Sequence, residues 1–205
     1  QKSRIKMVTP LSELMTGSVQ NILNTYESAT DIQLLAGESW YESALYLAET
    51  LAFDHDIESV ENVAYAIAAL SPQKDWITNQ VAIIELCETG KTRFQSRINI
   101  DKARRCLAGQ LSALKGPKVE RFAEAIMNPL GDSVACIDRH AFSIWMGTKQ
   151  TDIQIKVLQR KGAYEMVADA YSEAAKKLGV PVHIVQATTW VVWRDLHDVV
   201  RKIGK

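Results

Sequence analysis

The chain has 205 residues, 47% of them apolar, and a formal net charge of zero, enough to bury a real core as one domain or two small lobes. No stretch approaches the ~20 consecutive apolar residues of a membrane span, and the opening QKSRIKMVTP has no apolar run of a signal peptide, so no membrane partner and a cytoplasmic location are expected. Cys87, Cys106 and Cys136 are odd in number and lack CxxC spacing, which excludes a disulfide framework and a cysteine-held metal site, so no cofactor is expected.

Apolar residues recur at helical spacing almost throughout, and no alternating pattern persists. The sequence therefore predicts an all-α fold, with helices at about 11–26, 38–54, 58–70, 76–89, 101–111, 118–128, 139–147, 151–159, 162–178 and 182–202. Cap chemistry marks several starts: Thr9 with Pro10, Ser59 before Glu61, Asp101, and Asp138 before RHAFSIW. Gly90, Gly147 and Gly179 mark stops.

Charge is unevenly distributed. Between Met7 and Gln73 there are ten Asp and Glu and no Lys or Arg. From Lys91 to Arg121 there are nine basic residues against Asp101 and Glu120. Such a segment is either a solvated helix surface or one face for a polyanion.

Three segments carry candidate chemistry. In ALSPQKDW, Gln73 sits on a turn beside Lys74, where it is either solvent-exposed or placed to probe a base edge or fill a gap in stacked DNA. In LSALKGPKVERFAEAI, a turn at Lys115, Gly116 and Pro117 separates two helical segments. This is either an αα-corner or a helix–hairpin–helix whose second helix offers amides to a phosphate, with Lys115, Lys118 and Arg121 as counter-charge. In ACIDRHAFSIWMG, Asp138 is a helix N-cap or a carboxylate at a partly dry cleft, with His140 as a packing or neighbouring residue. Trp40 and Tyr41, beside Glu38 and Glu42, read as an exposed pair. Trp190 and Trp193, three apart on one helix face, either pack in the core or line a pocket and stack on a base.

Taken in order, ALSPQKD, NIDKARRCL, GPKVERFAEAI and ACIDRHAFSIWMG resemble the helix–hairpin–helix DNA glycosylase superfamily, the endonuclease III and 8-oxoguanine glycosylase group. The chain also resembles bacteriophage proteins that carry WYxxA, ALSPxxxW, GPKV and WVVWR, which would place it in a bacterial host cell. The resemblance implies a two-lobed helical fold without an iron–sulfur cluster. Residues 36–130 would form a central lobe containing the hairpin 111–126, and residues 1–35 with 131–205 a second lobe. It further implies a monomer acting on double-stranded DNA, contacting it through Gln73, Lys74, Lys115, Gly116, Pro117, Arg121 and His140. Trp40, Tyr41, Trp190 and Trp193 would be pocket candidates. Lys118 falls on the Schiff-base lysine and Asp138 on the catalytic aspartate, for a reaction in which Lys118 or an Asp138-activated water attacks C1′ and expels the base. Leu114 stands at the hairpin's first glycine position, and a second register puts Glu120 at the lysine position, leaving Asp138 alone. A base-hypermodifying transferase and a non-catalytic DNA-binding module are the competing functions.

Overall fold

The structure, a computed structural model, describes residues 9–203, with side chains through His197. The two ends of the expected second lobe, residues 1–8 and 204–205, lie outside the described residues. Every regular element among those residues is helical: α1 (Leu11–Leu14), α2 (Val19–Glu27), α3 (Asp31–Asp54), α4 (Val60–Leu70), α5 (Trp76–Thr89), α6 (Arg97–Leu107), α7 (Pro117–Met127), α8 (Arg139–Met146), α9 (Ala163–Leu178) and α10 (Val182–Ile203). Two 3-10 turns, Leu111–Ala113 and Gln154–Gln159, complete them. No helix among the described residues is long and apolar enough to cross a membrane.

Local chemistry explains most boundaries. Ser59, Asp75 and Asp138 each cap the helix that follows, accepting from Glu61 N, Thr78 N and Ala141 N respectively. Gly90, Gly147 and Gly179 end their helices at φ of 70°, 75° and 67°, a backbone region that costs glycine little.

Four boundaries differ from expectation. The segment 11–26 is not one helix: Gly17 lies against the Trp145 ring, and Ser18 N and Asn21 Nδ2 both donate to Trp145 O, at 3.0 and 2.8 Å. This long-range contact breaks the helix, and Pro10 rather than Thr9 stands at the cap position of α1. Helix α3 starts seven residues earlier than expected, because Thr30 and Gln33 form a reciprocal capping box. Ser96, not Asp101, caps α6. Residues 154–159 form a 3-10 turn in place of the expected α-helix.

The expected hairpin is also altered. Leu111–Ala113 is a single 3-10 turn rather than a helix running into Gly116. Helices α6 and α7 each pack against α4, which is buried almost all round, as its mostly apolar sequence requires.

Buried apolar side chains form two clusters. One gathers α3 to α7 around Ile67, Leu70, Ile83 and Ile126. The other gathers α2, α8 and α9 around Ile22, Phe142, Val167 and Tyr171. Helix α10 joins them, giving Val182 and Val185 to the second and Ala187 to the first, and it lies along α3.

Candidate functional site

The α3–α10 contact builds one wall of a pocket. Gly37 of α3 lies against Thr188 of α10, so close that a side chain there would strike the Thr188 backbone. One turn further along α3, Trp40 and Tyr41 meet Trp190 and Gln186 of α10. The expected exposure of Trp40 and Tyr41 is therefore incorrect: Tyr41 is 4% exposed and its hydroxyl donates to Gln186 Oε1 at 2.7 Å, while Trp40 is half-buried. Their acidic neighbours Glu38 and Glu42 are the outward residues of that turn. Burial holds the Tyr41 phenol well above its usual range, so it stays a neutral donor.

Around Trp40 the aromatic rings of Trp76, Phe122 and Trp190 sit at centroid distances of 4.9, 5.9 and 5.8 Å. With Tyr41 they line an inner pocket of about 100 Å³. Its polar wall includes Asn79, Gln186, Lys118 and Asp138. The pocket adjoins an outer cleft of about 660 Å³ that Lys118, Asp138 and Trp190 also line, together with Gln73, Lys74, His140 and Trp193.

Lys118 and Asp138 line the same pocket because two elements are tied together. Cys136 Sγ donates to Lys118 O at 3.3 Å, joining the first turn of α7 to the extended segment that ends at Asp138. Tyr164 holds the same segment from behind, accepting from Ile137 N and donating to Ala135 O, both at 3.0 Å. Burial pushes the Cys136 thiol up to about 12, so it acts here as a protonated strut and not as a nucleophile.

Asp138 is a cap and a pocket wall at once. Its Oδ1 accepts from Ala141 N at 2.8 Å, fixing the carboxyl at the mouth of α8. Glu120 turns back to accept from Gly116 N at 3.3 Å, and Lys118, not Glu120, joins Phe122 of α7 in lining the pocket. No ion pair joins Lys118 to Asp138; the ion pairs among the described residues are Arg121–Glu124, Arg139–Asp152 and Glu173–Lys177.

At the edge of the cleft, Lys74 N donates to Ser71 O at 3.1 Å, closing a turn with Pro72 and Gln73 at its centre. Gln73 has φ 60°, a region that a non-glycine residue enters at a cost of about 1–2 kcal/mol. Gln95 Nε2 braces the turn by donating to Leu70 O and Pro72 O, both at 2.9 Å. The exposed Gln73 and Lys74 are thus presented at the mouth by a fixed backbone.

The basic segment from Lys91 to Arg121 contributes only Lys118 to the cleft. Arg104 is spent on Gly90 O, Arg105 on Gln110 and Arg121 on Glu124. Lys115 and Pro117 are exposed outside both cavities, and Gly116, at φ 120°, supplies the backbone turn into α7. Because the Glu120 carboxylate already occupies the Gly116 amide, this helix start is poorly suited to an added phosphate. The cleft takes its positive charge instead from Lys74, Lys118, Arg139, Lys149 and Arg194, against Asp75, Asp138 and Asp152. The Arg194 guanidinium lies 4.8 Å from the Trp190 ring centroid, and His140 packs edge-on to the same ring at 6.4 Å.

A family model described as a family of unknown function, DUF7178, matches residues 5–197. The chain belongs to this family. No curated protein and no solved structure matches it. The match runs through every element that builds the pocket, from α3 to the Trp190 and Arg194 turns of α10.

Sequence reasoning missed several of these residues. Gln186 lies four residues before Trp190 in the apolar run HIVQATTW, a spacing that puts both on one helix face and could have marked it. Asn79 is 2% exposed, and its Oδ1 has no hydrogen-bond partner among the described residues. A buried orphan of this kind costs about 1–3 kcal/mol, and nothing in its neighbours in sequence reveals it. Among the described residues no group of three His, Cys, Asp or Glu side chains is placed to hold a metal.

Proposed function

We propose that the protein is a DNA base-excising enzyme that draws a base out of the duplex into the aromatic pocket and breaks its N-glycosidic bond. The observation that carries this reading is that Lys118 and Asp138, 20 positions apart in the chain, line the same aromatic pocket at its opening to a cleft rich in basic residues. An extruded ring would stack among Trp40, Trp76 and Trp190, leaving its sugar C1′ toward Lys118 and Asp138. Gln73, raised on its strained turn, would enter the space the base leaves.

Two routes follow from the same residues. In one, Lys118 Nζ attacks C1′ and the glycosidic electron pair leaves with the base, which takes up the proton the amine gives up; cleavage of C1′–O4′, with a proton to O4′, then opens the sugar and leaves an imine. In the other, Asp138 accepts a proton from a water that attacks C1′ and releases an abasic sugar. In both, the Asp138 carboxylate stabilises the positive charge that develops on the sugar.

Borohydride trapping separates the routes. The protein is incubated with duplexes bearing uracil, 5-hydroxymethyluracil, 8-oxoguanine or an abasic site. A covalent adduct lost on Lys118→Ala supports the lyase route. Base release without an adduct, lost on Asp138→Asn, supports the water route. If no base leaves any duplex, the excision reading is wrong; a DNA mass gain with an amine donor would then favour base modification, and salt-dependent binding alone a DNA-binding module.

A further inference from the structure

The inner pocket holds two primary amides, Asn79 and Gln186, beside its aromatic rings. Gln186 is 6% exposed and its Oε1 is occupied by the Tyr41 hydroxyl, which leaves its amide N–H groups as the free donor. Asn79 lines the same pocket but is more deeply buried; its Oδ1 has no partner among the described residues and meets a ligand only when the amide turns toward the pocket. A core amide is normally paired inside the protein, so an orphan acceptor at the wall of a pocket points to a partner that enters from the pocket. The pocket therefore offers one acceptor and one donor, the complement of an adjacent ring N–H and C=O.

Ring size follows from volume. A cavity of roughly 150 Å³ lined by apolar side chains takes up one benzene. The inner pocket, at about 100 Å³ and open to the outer cleft, is on the scale of one six-membered ring. The flanking rings of Trp40, Trp76 and Trp190 add face and edge contacts for a planar ligand.

We infer that Asn79 and Gln186 form a reading head for the lactam edge of a single-ring, pyrimidine-type base. This rests on the base-extrusion reading for how the ring arrives, but the pocket chemistry can be tested without DNA. Asn79 Oδ1 accepts from the ring N–H, and Gln186 Nε2 donates to the neighbouring ring carbonyl. A ring methylated on that nitrogen loses the donor and gains bulk where Asn79 stands. A fused purine would extend beyond the inner pocket into the outer cleft.

The test titrates the full chain with 1-methylthymine, 1,3-dimethylthymine and 9-methylhypoxanthine, in which a methyl group stands where the sugar is in DNA, following quenching of the pocket tryptophans. 1-Methylthymine is expected to bind roughly tenfold or more tightly than 1,3-dimethylthymine, in keeping with one well-formed amide pair, and 9-methylhypoxanthine more weakly than 1-methylthymine. Asn79→Leu, similar in volume and without the orphan, is expected to abolish the discrimination between 1-methylthymine and its dimethyl form while keeping the folded state. The ligand comparison on the unaltered protein needs no variant, so misfolding of Asn79→Leu would not rescue the inference. Equal binding of 1-methylthymine and 1,3-dimethylthymine, or no quenching by any base, overturns it. If bases leave DNA in an Asp138-dependent way but ignore Asn79, the reading head is wrong and excision stands. If 1-methylthymine binding depends on Asn79 while no duplex releases a base, the reading head stands and excision falls.

Discussion

Gly37 of α3 packs directly on Thr188 of α10: a Cβ built on Gly37 would sit 2.6 Å from the Thr188 Cα, an atom that no rotamer change can move away. In an exposed helix, Gly→Ala stabilises by about 0.5–1 kcal/mol. Here overpacking costs about 1–3 kcal/mol, and the backbone contact decides the sign. Gly37→Ala is expected to lower stability by roughly 1–2 kcal/mol in urea unfolding. It should also weaken the Trp40–Trp190 contact, read as a shift in tryptophan emission, because both pairs lie along the same helix crossing.

Gln73→Gly separates strain from function. The substitution removes the cost of φ 60° in a residue with a side chain, about 1–2 kcal/mol, but adds about 0.5–1 kcal/mol of unfolded-state entropy. The net expectation is unchanged or slightly higher thermal stability, by up to about 1 kcal/mol. If Gln73 holds the gap left by an extruded base, the same variant loses DNA cleavage or base release. A fall in stability would show that the Gln73 side chain serves the fold instead.

His183 gives stability a pH dependence. It is fully buried, donates to or accepts from Ser133 Oγ at 2.8 Å through Nε2, and packs 5.5 Å from the Tyr41 ring, with Nδ1 unpaired. Burial pushes it down to about 4, against the opposing pull of Asp132 and Glu124. In the unfolded chain it takes a proton below about 6.5. The folded state is therefore the poorer proton binder between pH 6.5 and 4, and stability falls as pH drops through that window, then stops changing on this account below 4. The full loss is roughly 3 kcal/mol. Melting curves between pH 7 and 4 are expected to show a steeper decline for the native chain than for His183→Leu; parallel declines would contradict it.

If the cleft receives duplex DNA as proposed, its charges set the salt dependence of binding. Lys74 and Lys149 are exposed residues of the outer cleft, and each is expected to meet a phosphate. Alanine at either position should reduce the slope of log affinity against log salt by about one and weaken all sequences alike. Lys102→Ala on α6, outside the cleft, should leave the slope unchanged. Equal effects from all three would place the DNA on the α6 face instead.

What lay in the sequence was local. The apolar period gave nearly every helix, and the αL glycines at 90, 147 and 179 and the caps at Ser59 and Asp138 placed their ends, because these preferences depend on residues within about one turn. The turn bearing Gln73 and the cap position of Asp138 were legible for the same reason. Boundaries set by distant contacts were not: Trp145 broke the first helix through Gly17, and only in three dimensions does that pair exist.

The pocket belongs to the tertiary structure. Whether Lys118 or Glu120 lines it was decided by the Glu120 bond to Gly116 N and by the Cys136 thiol on Lys118 O. Trp40 and Tyr41, which read as surface residues beside two glutamates, became pocket walls when α3 met α10. Asn79 and Gln186, more than a hundred positions apart, acquired a shared meaning only as the amides of one aromatic cavity. A periodic pattern fixes which face of a helix turns inward, but the partner across that face is chosen by close packing between elements distant in the chain.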